Sequence, residues 1–192
     1  MSEQTIAETE LAQDEEQSSH VSVQVLTFLL DDEVYGVDIR QIQEVLEYRK
    51  VTRVPRSQPF LLGVINLRGK VVPVLDLRRL FDMTLAEITV NTCIVIIDIL
   101  LDGEKVSIGI LTDAVREVVE LPVSEISAPP RIGSRVNNRF INGMGKHEGD
   151  FIVILDVQKV MADEEFNAML DVVSDEALAD EEGDSSDNSG HD

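Results

Sequence analysis

The stretch FLLGVINLRGKVVPVLDLRRLF, residues 60–81, decides how the chain is read. Two apolar runs flank Asn66-Leu67-Arg68-Gly69. Their valines and isoleucines are stiff at χ1 and suit a pleated surface, so both runs read as strands. Gly69 supplies the positive φ that a tight hairpin turn needs. Pro73 cannot donate to a ladder, which implies an edge position or a bulge. Asp76 reads as the N-cap of a short helical turn. Arg68 offers a rigid fork of donors suited to a carboxylate or to backbone carbonyls. It reads equally well as a solvated loop arginine.

Outward from this hairpin, the chain repeats itself. FLLG and GKVVPVLDLRRLF, starting at Phe60 and Gly69, align without gaps on FING and GDFIVILDVQKVM, starting at Phe140 and Gly149. Earlier, Tyr35-Gly36-Val37 and Ile42-Gln43-Glu44-Val45 align on Ile108-Gly109-Ile110 and Val115-Arg116-Glu117-Val118. Order, spacing and chemistry agree, as in a duplication. Two such halves of short strands predict two small β-barrels packed together, with an apolar core between them because neither half buries much alone. In the second copy the turn becomes Lys146-His147-Glu148-Gly149. The glycine persists and the arginine does not, which marks Arg68 as a candidate for function.

The remaining elements follow from pattern. Residues 21–30 read as a strand, Asp31-Asp32-Glu33 as a turn, and 34–37 as the returning strand. Ile39, Ile42, Val45 and Leu46 fall on one helical face, so a short helix capped by Asp38 is expected there. Glu44 would then sit on its polar side, paired either with Arg40 four residues before it or with Arg68. Residues 51–54 return to an extended form. Residues 92–101 form a strand buried on both faces, and Asp102-Gly103 turns it into a strand at 105–111. Asp113 reads as the cap of another short helix at 114–118, and 131–138 as a polar loop. Asp156 starts a last helix, expected to run to Val173.

Charge is concentrated at the ends. The net charge is −21, from 37 acids and 16 bases. Residues 1–20 hold six acids and 162–192 hold twelve, with no Lys or Arg in either. That leaves 19 acids against all 16 bases, a balance of −3, for residues 21–161. Residues 1–20 and 174–192 read as disordered acidic tails, and 21–173 as the folded unit. A nucleic-acid binder needs a net basic face. The one basic cluster, Arg49, Lys50, Arg53 and Arg56, is too small and too poor in aromatics to provide it. Cys93 is alone and two of the three histidines lie in the tails, so no disulfide, metal site or cofactor is expected. No secretion signal or membrane span is visible, which implies a cytoplasmic protein. No catalytic constellation is present either. Asp76 and Asp156 read as helix caps rather than acids in catalysis, and His147 as a solvated loop residue.

Taken together, VYGVDI at 34–39, IQEV at 42–45, VTRVP at 51–55, GVINLRG at 63–69 and VLDL at 74–77 resemble the CheW family of chemotaxis coupling proteins. The resemblance covers about residues 21–170. It implies a mainly β fold of two SH3-like five-stranded β-barrels packed as pseudo-duplicates, with short helices and a C-terminal helix. It implies a non-catalytic adaptor that joins the cytoplasmic tip of chemoreceptors (methyl-accepting chemotaxis proteins) to the regulatory domain of the histidine kinase CheA, associated with membrane-bound receptor arrays. Arg68, Asn66, Ile42, Glu44, Gly63 and Gly69 become the candidate receptor-binding residues, with the kinase-binding surface open. The acidic tails depart from the family's compact form. A CheW-like adaptor of a parallel motility or second-messenger pathway is the alternative, and an unrecognised enzyme or small-molecule-binding regulator a more distant one.

Overall fold

A computed structural model describes residues 21–101, 103–129 and 140–161. The expected tails, the polar loop at 131–138, Asp102 and the last helix beyond Met161 lie outside these residues. Ten strands form two five-stranded sheets. The first sheet has the order β8-β1-β2-β10-β9 and the second β3-β6-β7-β5-β4. The strands are β1 Ser22–Leu30, β2 Glu33–Asp38, β3 Ile42–Glu47, β4 Leu61–Leu67, β5 Lys70–Asp76, β6 Cys93–Leu101, β7 Glu104–Thr112, β8 Ala114–Pro122, β9 Ile141–His147 and β10 Asp150–Leu155. Two short helices, α1 Leu77–Leu80 and α2 Val157–Met161, follow the two matching hairpins.

The duplication is visible in the backbone. β4 and β5 pair with a register shift between Leu61 and Gly63, and β9 and β10 pair with a shift between Ile154 and Leu155. The amide of Asp76 donates to Phe60 O, and that of Asp156 to Phe140 O, both at 2.8 Å. Thr52 bridges Val64 as Ser127 bridges Met144. Asp76 Oδ1 caps α1 through the Arg78 amide at 3.0 Å, and Asp156 Oδ1 takes the Lys159 amide at 3.1 Å.

The two copies do not fold as separate halves. The β1–β2 hairpin of the first copy joins β8, β9 and β10 of the second, and the β6–β7 hairpin of the second joins β3, β4 and β5 of the first. Each lobe is therefore built from both copies. The exchange is sealed by parallel pairs, β2 with β10 and β5 with β7.

Two of the expected helices, after Asp38 and at 114–118, are strands. After Asp38 there is only a single 3₁₀ turn, Ile39–Gln41, and then β3. Its apolar pattern fits both periods, because Ile42 and Leu46 also lie on one face of a strand. So short a segment is a poor isolated helix, and the open edge of β6 offers it a ladder. Residues 114–118 likewise belong to β8, which pairs along β1. Pro73 causes no gap: β5 pairs with β7 only from Val74 onward, and Pro73 opposes only Val64 of β4.

Three apolar clusters result. Ile65, Leu67, Val72, Val74, Ile94 and Ile96 fill one lobe. Val25, Val119, Leu121, Ile152 and Ile154 fill the other. The largest cluster lies between them and takes Leu26, Phe28 and Leu30 from β1 together with Val95, Ile97 and Ile99 from β6. β6 thus buries both faces, as its run of isoleucines implies. An aromatic row of Phe28, Tyr35, Phe81 and Phe140 crosses this shared core at centroid spacings of 6.2, 6.3 and 6.1 Å.

Candidate functional site

The β4–β5 turn is two residues long, since Leu67 pairs with Lys70. Both turn residues have positive φ, 52° at Arg68 and 84° at Gly69. That is the type I′ geometry matching strand twist, for which Asn-Gly is the usual choice. Arg68 tolerates the left-handed region at some cost. Asn66 braces the loop, with its Oδ1 accepting the Gly69 amide at 3.0 Å.

Arg68 reaches across to β3. Its Nη1 and Nη2 donate to Glu44 Oε1 and Oε2 at 2.7 and 3.0 Å. This fork-to-fork pair has a fixed geometry. The Arg68 side chain is 71% exposed and that of Glu44 22%. A pair so open to solvent contributes on the order of 1 kcal/mol or less, so its effect is to position the guanidinium. It links β3 and the β4–β5 turn, at the two edges of the second sheet. Arg40 is not the partner of Glu44. It donates to Asp38 instead, with Nε–Oδ1 at 3.0 Å, and that hydrogen bond holds the Asp38 carboxyl below its usual range against partial burial.

Four of the six candidate residues, Arg68, Glu44, Asn66 and Gly69, meet at this end of the hairpin. Ile42 lies two residues from Glu44, half-buried against the central core. Gly63 is elsewhere and serves the scaffold. It is buried at φ 146°, and a Cβ there would sit 2.1 Å from Thr52 O. Any larger residue would break the Thr52–Val64 bridge, whose hydrogen bonds are 2.9 and 2.7 Å.

The second copy keeps the turn and loses the pair. Glu148 and Gly149 have φ of 51° and 98°. Glu148 stands where Arg68 does, and Glu117 where Glu44 does, so two carboxylates replace a carboxylate and a guanidinium. They line one small cavity with Arg116 and His147. The lobes share a frame and present different charge.

A second ionic feature joins the lobes, and sequence reasoning missed it. Arg78 of α1, 7% exposed, donates from Nε and Nη2 to Asp113 Oδ1 and Oδ2 at 3.0 and 2.5 Å, and from Nη1 to Thr84 O. Asp113 Oδ2 also accepts the Asp31 amide of the β1–β2 turn at 2.7 Å, while the Asp113 amide donates to Leu29 O at 3.0 Å. Asp113 is a clip between lobes, not a helix cap. The hydrogen bond to Asp113 pushes the Arg78 guanidinium further into its charged form. The one available signal was the second copy, where Gln158 occupies the place of Arg78 and pairs its amide with the Leu100 backbone.

Two back-to-back sheets that share a core, exchange hairpins and differ in the charge of their matching turns define a two-lobed binding scaffold. Among the described residues no group of His, Cys, Asp and Glu could hold a metal ion, and no helix is long and apolar enough to cross a membrane. The CheW-like domain family matches residues 24–165, and the chain belongs to that family. It is 32% identical over 154 residues to the chemotaxis protein CheW of Klebsiella aerogenes, covering 80% of this chain and 90% of that one. It is 31% identical over 137 residues to the chemotaxis protein CheW of Bacillus subtilis, covering 71% and 85%. The crystal structure of the scaffolding protein TtCheW from Thermoanaerobacter tengcongensis superposes with a TM-score of 0.68 at 28% identity, covering 76% of this chain and 91% of that one.

Proposed function

We propose that the chain is a non-catalytic adaptor that couples the cytoplasmic tips of chemoreceptors to the regulatory domain of the histidine kinase CheA in membrane-associated arrays. Membership of the CheW-like family supports this reading. The receptor contact is the end of the β4–β5 hairpin, with Arg68, Asn66, Glu44 and Gly69 at the surface and Ile42 beside them. The observation that carries the assignment is the Arg68–Glu44 pair, built on a turn that both copies share but present in one copy only. An amphipathic receptor helix would lay its apolar face along the half-buried residues between the lobes and meet the fixed guanidinium with a carboxylate or a helix C-terminus. Gly63, toward the other end of β4, acts through the scaffold by leaving room for Thr52.

The test is co-sedimentation of the chain with a receptor signalling fragment and with the kinase, separately and together. The adaptor reading predicts binding to each alone and a ternary complex when all are mixed. Binding to neither, under conditions where receptor and kinase are folded, contradicts it.

A further inference from the structure

The β3–β4 connection carries a basic cleft that the receptor site does not use. Arg53, Arg56 and Arg79 line it with Ser57, Gln58 and Leu62, around a volume of about 210 Å³, and its lining includes no Asp or Glu. Arg79 is held at the wall by Asp76, with Nε–Oδ2 at 3.1 Å. Arg49, Lys50, Arg53 and Arg56 make no ion pair among the described residues, although acids outnumber bases in the chain by 21. Arg56 sits at φ 57° just after Pro55, in a turn position that favours glycine or asparagine. A charged side chain at a strained position, beside others left unpaired, is a reason to look for an anionic occupant.

We infer that this cleft docks the chain's own acidic C-terminal segment, residues 175–187. Three observations favour that occupant. The segment DEALADEEGDSSD carries seven acids and no base, with Asp180, Glu181, Glu182 and Asp184 nearly consecutive. The cleft has room for one or two side chains rather than a folded domain. The 14 residues from Met161 to Asp175 span up to roughly 46 Å when extended, which exceeds the width of a folded body whose radius of gyration is about 14 Å. Single exposed ion pairs are weak, but a tether raises the local concentration of the segment to the millimolar range. Docking covers the basic edge that would otherwise attract other polyanions. It is independent of the receptor assignment, since the cleft sits at the Leu61–Leu62 end of β4 and the receptor turn at the other end.

The experiment is paramagnetic relaxation enhancement on the full-length chain, with Cys93→Ser and a nitroxide at Ser186→Cys. At about 20 mM salt, amide signals of Ser57 and Gln58 should lose about half their intensity or more, and should recover near about 0.5 M salt, where the screening length is a few ångströms. The recovery should also follow Arg53→Ser/Arg56→Ser at low salt, with the remaining amide shifts confirming an intact fold. Arg53→Gln/Arg56→Gln provides a second variant should the first fail to fold. Broadening that ignores these substitutions overturns the proposal. So does broadening produced by a nitroxide at Ser18→Cys in place of Ser186, or seen only between labelled and isotope-labelled copies in a mixed sample.

Discussion

Replacing Asp113 with alanine tests the clip that joins the lobes. The substitution removes the acceptor of two Arg78 hydrogen bonds and of the Asp31 amide, and leaves an arginine whose side chain is 9% exposed. Hydrogen bonds to charged groups contribute about 1.5–3 kcal/mol each, and breaking a buried ion pair costs about 3–5 kcal/mol. Two features reduce the figure here. The Asp113 side chain is 29% exposed, and the Asp31 carboxylate, 3.9 Å from Arg78 Nη2, can take over part of the pairing. A loss of about 2–3 kcal/mol in urea unfolding is expected, which for a folded unit of this size lowers Tm by roughly 8 °C. Removing both partners should cost less than removing one, because Arg78→Met/Asp113→Ala leaves no stranded charge. The double variant should recover half or more of the loss. A cost below about 0.5 kcal/mol for Asp113→Ala, or a double variant as unstable as the sum of its singles, refutes the clip.

Gly63→Ala and Gly69→Ala separate packing from backbone strain. The first places a Cβ 2.1 Å from Thr52 O and should cost about 3 kcal/mol or more; the second meets nothing within 4 Å and should cost only about 1 kcal/mol for its φ of 84°. Equal costs in denaturant titration would contradict the scaffold role of Gly63. Burial pushes the Asp98 carboxyl up, but hydrogen bonds from Lys105 and Ser107 outweigh it and hold it below the ordinary carboxylate range. The folded value lies below the unfolded one, so the stabilisation is present above the unfolded pKa of about 3.9 and fades as pH falls through the folded value. Stability measured between about pH 5 and 2 should therefore fall less steeply in Asp98→Asn than in the parent chain.

The sequence shows the hairpins plainly, because a turn glycine between β-branched runs admits few other readings. Gly69 takes the positive φ expected of it, and Gly103 and Gly149 do the same in their turns. The duplication was equally legible, and with it the contrast between Arg68 and Glu148. The exchange of hairpins was not, since a repeated order of elements is the same whether each copy closes on itself or swaps. The segments after Asp38 and Asp113 misled for a shared reason. Each is short, and its apolar residues satisfy a helical and a strand period alike, so pairing with β6 and β1 decides the outcome. The Glu44–Arg68 pair was one of two open readings for Glu44, separated only when β3 proved to be a strand and Arg40 turned to Asp38. The Arg78–Asp113 clip was invisible because its partners are 35 residues apart and each has an ordinary local role available.

The proposed receptor contact puts recognition on the β4–β5 turn of one lobe and not on the matching β9–β10 turn of the other. Calorimetric titration of a receptor signalling fragment into Arg68→Ala and Glu148→Ala tests it directly. Both substitutions remove an exposed charge from the same left-handed turn position, so their effects on the fold should match. The expected result is a loss of affinity of about tenfold or more, or about 1.4 kcal/mol, for Arg68→Ala and no change for Glu148→Ala. Equal affinities for the two variants, or a loss confined to Glu148→Ala, would contradict it.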